Sequence, residues 1–213
     1  IFHDSTFKTN GSNATYGYNV SFNSTTNVSL SYSNVQHLGA GNSGNASFDN
    51  GWVIFSSSNL DMKTLNFSNG YAGIIIRDSG TIANNVNITQ SNFTNMTREN
   101  IAIVSLGNST IGNNTFRNNN FDSGIKLGVT ALIHELDVSF NTFVDFLYPS
   151  SFANTIGAFM LNAPSTLQHN ISLFNNTFNN TNMGVRIARF GAPVVSGGDY
   201  LITNNTFNGG CTG

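Results

Sequence analysis

The sequence predicts an all-β fold, a single-stranded right-handed parallel β-helix of about seven coils, from three observations. The triplet Asn-x-Phe recurs along the chain, a second short apolar alternation follows several of its copies, and no segment carries a sustained 3.6-residue apolar stripe. Aligned on phenylalanine, residues 86–93, 110–116, 137–143, 172–178 and 201–207 superpose, with Ile88, Ile111, Val138, Leu173 and Ile202 each five positions before the ring. Four copies place asparagine two before the ring, at Asn114, Asn141, Asn176 and Asn205, and Ser91 takes that slot in the first.

Weaker copies at 30–35 and 62–67 extend the series, giving anchors at Val35, Phe67, Phe93, Phe116, Phe143, Phe178 and Phe207. Their spacings run from 23 to 35 residues, which suits fixed strands joined by turns of unequal length. The second alternation reads Gly73-Ile74-Ile75-Ile76, Gly124-Ile125-Lys126-Leu127 and Gly184-Val185-Arg186-Ile187, with Asn100-Ile101-Ala102-Ile103 as a form without glycine. Each coil is therefore expected to hold at least two short strands. Parallel stacking at about 4.8 Å turns each slot into a ladder, with phenylalanine inward and the asparagine two before it at a bend.

Residues 28–213 are assigned to the solenoid and residues 1–27 to an N-terminal arm or cap strand. Within the arm Tyr16, Tyr18, Val20 and Phe22 alternate with small or polar residues. Such an arm is expected either to cap an open strand edge or to pair with a neighbouring subunit. The longest coil carries Phe146, Leu147, Tyr148, Pro149 and Phe152, more apolar than a solvated loop requires.

Composition narrows the function. Only 8% of the 213 residues are charged and the net charge is −2, while 36 are asparagine. That excludes a basic footprint for nucleic acid, and no apolar run is long enough to span a membrane. Eighteen phenylalanines at regular positions argue against disorder. Cys211 stands alone, so no disulfide within the chain is expected, although it could join subunits. The sequence opens on Ile1 without a signal peptide and reads as a processed chain or a fragment.

Asn-x-Ser/Thr occurs 16 times, at Asn10, Asn13, Asn19, Asn23, Asn27, Asn45, Asn66, Asn87, Asn92, Asn95, Asn108, Asn113, Asn170, Asn175, Asn179 and Asn204. Chance would give about eight, so these are candidate sites for N-glycans on an exported protein. Asn113, Asn175 and Asn204 share one slot, and Asn175 and Asn204, in adjacent coils about 4.8 Å apart, are not expected to carry bulky glycans together.

The pattern resembles the pectate-lyase-like superfamily of right-handed β-helices, and within it the short-repeat NosD-like surface proteins. The residues that carry the resemblance are Gly124-Ile125-Lys126-Leu127 after Gly112-Asn113-Asn114-Thr115-Phe116, and Gly184-Val185-Arg186-Ile187 after Asn175-Asn176-Thr177-Phe178. It covers roughly residues 60–207 and departs in its irregular coil lengths. The resemblance implies the fold; that superfamily spans lyases, hydrolases, epimerases, adhesins and structural proteins, so it implies no one activity.

Ten acidic residues leave few catalytic pairs. Glu135 and Asp137, two apart and expected on one strand facing outward roughly 7 Å from each other, are the best of them. Asp61 falls in the slot of Asp137, but three coils and about 14 Å away. The calcium-binding cluster that the resemblance implies for a lyase is not recognisable. His3, His37, His134 and His169 share no ligand spacing, and nothing points to a metal or a cofactor. The expectation is a noncatalytic, glycosylated extracellular or cell-surface structural protein, a homo-oligomer or polymer in a filament, sheath or surface layer. The alternatives are a polysaccharide-binding or polysaccharide-cleaving domain and a viral fibre or spike segment.

Overall fold

The computed structural model describes residues 2–3, 6–10, 20–38, 52–70, 72–77, 82–117, 119, 122–147, 157–163, 170–189 and 199–209. They form a right-handed parallel β-helix with three sheets and no helix among the described residues. Sheet 1 stacks β1 (Phe2–His3), β4 (Thr26–Ser31), β7 (Ser58–Lys63), β10 (Asn84–Thr89), β13 (Ser109–Gly112), β16 (Leu136–Ser139), β19 (Ile171–Phe174) and β22 (Tyr200–Thr203). Sheet 2 stacks β2 (Thr6–Asn10), β5 (Asn34–Leu38), β8 (Asn66–Ser68), β11 (Asn92–Thr94), β14 (Thr115–Arg117), β17 (Thr142–Phe146), β20 (Thr177–Thr181) and β23 (Thr206–Asn208). Sheet 3 stacks β3 (Val20–Asn23), β6 (Trp52–Phe55), β9 (Ile74–Arg77), β12 (Ile101–Leu106), β15 (Ile125–Ile133), β18 (Phe159–Ala163) and β21 (Val185–Arg189). Each coil thus has three strands, one more than the minimum expected, and seven complete turns precede the two strands of an eighth.

The arm expected over residues 1–27 is corrected by this register. Phe2 pairs with Leu30, Phe7 with Val35 and Phe22 with Ile54, so the described part of that stretch is the first turn of the solenoid. The reason is visible in Phe2-x-x-Ser5-x-Phe7, the repeat itself with an aromatic in the aliphatic slot and serine in the asparagine slot. Tyr16 and Tyr18 lie outside the described residues, as do Tyr148, Pro149 and Phe152 of the longest coil. Phe146 of that coil is buried against Phe143, with ring centroids 6.0 Å apart, while Leu147 is exposed.

Alternation along each strand sends one residue in two to the interior, and the inward columns match the aligned slots. Phe67, Phe93, Phe116, Phe143, Phe178 and Phe207 stack at 4.8–5.1 Å with interplanar angles of 3–18°. Offset stacking of this kind adds about 0.5–1.5 kcal/mol per pair beyond the area it buries. Val35 is paired by register with Phe67, and Trp52 from sheet 3 meets the Phe67 ring edge-on at 5.2 Å. The glycines that open sheet 3 strands serve the same column. A β-carbon at Gly124 would stand 2.8 Å from the Phe143 ring, and one at Gly184 2.5 Å from Phe207.

Between sheets 1 and 2 the backbone turns through a left-handed residue on each rung from Tyr32 to Asn204, with φ of 52–57°. Asparagine tolerates that region better than other residues with a β-carbon, and it holds the slot at Asn113, Asn175 and Asn204. The next residue points in. Asn114 donates from Nδ2 to Asn141 Oδ1 (3.1 Å), Asn141 to Asn176 (3.1 Å) and Asn176 to Asn205 (3.0 Å). Each of these oxygens also accepts the backbone N–H of the preceding rung's asparagine at 2.9 Å, so the bend has no orphaned amide there. Asn-Asn-Thr-Phe is therefore a left-handed corner, an inward ladder amide, an outward β-branched residue and an inward ring.

Candidate functional site

Outward slots are where chemistry can sit in this fold, and sheet 1 carries the carboxylates. One outward column runs Ser29, Asp61, Asn87, Thr110, Asp137, Ser172 and Leu201. Asp61 is thus three rungs from Asp137, too far to share a substrate bond. Glu135 is not on a strand, as expected from alternation, but in the turn before β16, where its carbonyl accepts the N–H of Ser109 at 3.0 Å. It is exposed, and Asp137 is half-buried.

The structure adds a residue to that pair. Asp199 precedes β22 as Asn170 precedes β19 and Glu135 precedes β16; the N–H of Leu136 reaches the Asn170 carbonyl and that of Ile171 the Asp199 carbonyl. Glu135, Asp137, Asn170, Ser172, Asp199 and Leu201 line one open groove with a cavity volume of about 430 Å³. Two rungs put Glu135 and Asp199 about 10 Å apart, at the wide edge of the separation that leaves room for water between two carboxyls. Burial pushes Asp137 above its ordinary value, a hydrogen bond with Ser139 opposes this, and the charge of Glu135 pushes the same way. Asp199 could have been found from sequence, because it stands two before Leu201 as Glu135 stands two before Asp137.

A second cluster was not anticipated. Lys126 Nζ lies 2.7 Å from Glu99 Oε1 and 3.0 Å from Asp122 Oδ2, and Arg98 Nε stands 3.7 and 3.6 Å from the same two carboxylates. Glu99 precedes β12 while Asp122 and Lys126 flank the start of β15 on the next rung, so the lysine clasps two successive turns. Burial would push Glu99 up, yet the charge and hydrogen bond of Lys126 hold it below its usual value. Asp122, buried and beside the negative Glu99, is pushed up to about 6. Burial pulls Lys126 down, but the two carboxylates outweigh it and hold the amine above its ordinary value.

Two carboxyls driven apart in proton affinity are a pattern shared by acid–base sites. Here both are held by Lys126 with Arg98 beside them, and the arrangement acts as a clasp. Lys126→Met is expected to lower stability by about 2–3 kcal/mol at pH 7, because it leaves buried carboxylates short of a cation. The sign with pH follows from Asp122, whose pKa rises from 3.8 to about 6 on folding. That group favours the folded state at acid pH and weakens it as pH rises through about 4 to 6, so the variant should recover most of its loss by pH 4. Urea unfolding at both pH values checks this; an equal loss at each would mean that packing, not charge, is what the lysine supplies.

The asparagines divide by direction. Asn114, Asn141 and Asn176 are buried, whereas none of the twelve acceptor asparagines with described burial is: nine are exposed and Asn87, Asn175 and Asn179 are half-buried. Asn66 and Asn92 already join an exposed ladder with Asn34, donating at 3.0 and 2.9 Å, and Asn95 donates to Asn69 at 3.1 Å. Asn27 accepts from Asn59, and Asn179 from Asn208. At Asn113, Asn175 and Asn204 the acceptor triplet coincides with the corner motif, so the fold alone asks for those residues. Asn23, Asn87, Asn108 and Asn170 lie outside that motif, and the corner does not dictate them. Asn10 lies on β2 and its side chain is outside the described set, as are Asn13, Asn19 and Asn45 altogether.

His134 is exposed beside Glu135, His3 and His37 lie on β1 and β5, and His169 and Cys211 fall outside the described residues. No group of three or more His, Cys, Asp or Glu among the described residues is placed to hold a metal ion. Comparison with models of protein families, with curated proteins and with solved structures finds no match to this chain.

Proposed function

We propose that the chain is a noncatalytic structural protein of the cell surface or extracellular space, a glycosylated subunit of a filament, sheath or surface layer, of the NosD-like short-repeat kind. The observation that carries this reading is the sorting of asparagine: ladder amides inward, and the acceptor asparagines of described burial exposed or half-buried, on all three sheets and in the turns between them. An outer wall of amides and hydroxyls with few charges suits dense packing and a glycan coat.

Assembly is supported by the slots at either end of the described solenoid. Phe207 stacks on Phe178 at 4.8 Å, yet remains 48% exposed, and Ile202 beside it is 43% exposed. Phe2 and Phe7 occupy the equivalent two columns on the first turn, so a first turn laid on a last one would continue both ladders. Electron microscopy of the purified protein tests this: ordered polymers are expected, and deletion of residues 1–23 should abolish them. Monomers at high concentration, indifferent to that deletion, would rule the reading out.

The groove of Glu135, Asp137 and Asp199 favours a second reading, a polysaccharide-binding or polysaccharide-cleaving face. It predicts turnover on an acidic or neutral polysaccharide that Glu135→Gln abolishes; a panel of polysaccharides left intact by the wild-type chain would remove it.

A further inference from the structure

Phe140 is out of place twice over. It occupies the left-handed corner slot at φ 55°, where a ring-bearing residue is strained, and its side chain is 51% exposed. Neither backbone preference nor burial accounts for it. The rungs on either side, Asn113 and Asn175, keep asparagine in this slot with an acceptor triplet, and on the Phe140 rung the remainder of the triplet, Asn141-Thr142, is retained. On this rung a ring stands where the acceptor asparagine stands on its two neighbours.

The backbone fixes the offsets. The N–H of Asn113 donates to Ser139 O at 3.0 Å and that of Phe140 to Phe174 O at 3.2 Å, so the three corners rise one rung at a time. Phe174, from the following rung, meets the Phe140 ring edge-on at 5.3 Å and 77°. Asn113, exposed, stands on the preceding rung. In this fold side chains in one slot run parallel, and rings on successive rungs stack at 4.8–5.1 Å. A pyranose linked to Asn113 Nδ2 would run beside the Phe140 ring at that spacing, its C–H face toward the negative face of the ring, and would cover apolar surface now in water.

We infer that Phe140 is the platform on which the first sugar of an N-glycan at Asn113 stacks, so that the glycan at this corner is a packed part of the wall. The inference rests on the glycosylated reading above.

A double-mutant cycle on the full chain, made in a glycosylating host, tests it. Thr115→Val removes the acceptor triplet and leaves Asn113 in its corner; Phe140→Gly removes the ring and suits the left-handed slot. With Asn113 occupied, Phe140→Gly is expected to lower Tm by about 2–4 °C. In the Thr115→Val background the same change should lower Tm by clearly less, because the loss of the Phe174 contact and the relief of strain are common to both backgrounds and only the sugar contact differs. Phe140→Tyr keeps the ring and should behave as wild type in both backgrounds, and Phe140→Leu carries the comparison if the glycine variant does not fold. Equal Tm changes in both backgrounds, with Asn113 shown to be occupied by peptide mass, overturn the stacking while leaving glycosylation intact. An unmodified Asn113 overturns it by the other route, and bare Asn108 and Asn170 in the same map would take the glycan reading with it. Stabilisation of the Thr115→Val protein by free chitobiose, lost in Phe140→Gly, would assign the ring to an external ligand and overturn it too.

Discussion

Phe143→Ala is expected to lower the unfolding free energy by about 4–5 kcal/mol, the upper part of the range for a fully buried phenylalanine. The ring is wholly buried, stacks on Phe116 at 4.9 Å and on Phe178 at 4.8 Å, and meets Phe146 edge-on. Its removal opens a void between two rings that backbone hydrogen bonds hold one rung apart on each side, so the site cannot collapse to refill it. Gly124 sits against this ring, and its missing β-carbon leaves no atom able to move in. Phe207→Ala, with one stacking partner and half its surface already in water, should cost only about 1 kcal/mol. Urea titrations of the two variants decide the matter through their midpoints; similar losses would show that the aromatic column does not act as a stack.

Asn141→Leu is expected to cost about 3–4 kcal/mol although leucine is apolar and of similar size. Asn141 Oδ1 accepts both the backbone N–H and Nδ2 of Asn114, at 2.9 and 3.1 Å, and its own Nδ2 donates to Ile111 O at 2.8 Å. Leucine would leave the Asn114 N–H buried without an acceptor, and a group orphaned in this way costs roughly 1–3 kcal/mol. The Ile111 carbonyl loses its side-chain donor as well. Leu65 occupies the same slot, and its own N–H is accepted at 3.0 Å by Ser91 Oγ on the following rung. The exposed ladder is the control: Asn34→Ala removes one solvent-exposed acceptor from Asn66 and should change stability by less than about 0.5 kcal/mol. Hydrogen exchange at the Asn114 amide gives a local readout, and unchanged protection there in Asn141→Leu would mean that the ladder is decorative.

The inward half of this protein was legible in its sequence, and the reason is that each inward slot tolerates one kind of residue. Phe93 to Phe207 and Asn114 to Asn205 could be aligned without coordinates because a ring or an amide repeats where the neighbouring rung demands it. Val35 and Leu65, which stand in the ring and amide slots, weakened the signal. The first turn was missed because Phe2 and Ser5 are chemical synonyms of the expected aliphatic and asparagine, not copies. The outward half was harder. Glu99 and Lys126 are 27 residues apart, and only the register Ile101↔Ile125 brings them together. Asp199 fell just before the aligned segment. Side chains that face water are not constrained by the rung above, so repetition does not reveal them.

The inward amide ladder is also a vector. From Asn114 to Asn176 each Nδ2 donates one N–H up the axis to the next Oδ1 and the other back to a strand carbonyl of the rung below, and each Oδ1 from Asn141 to Asn205 faces down to the previous N–H groups, so the bonded amides polarise one another. At the Asn205 rung the series ends, within the described residues, on a donor. Two copies meeting tail to tail about a two-fold axis would set donor against donor. An assembly built on the proposed end-to-end stacking would therefore have unlike ends.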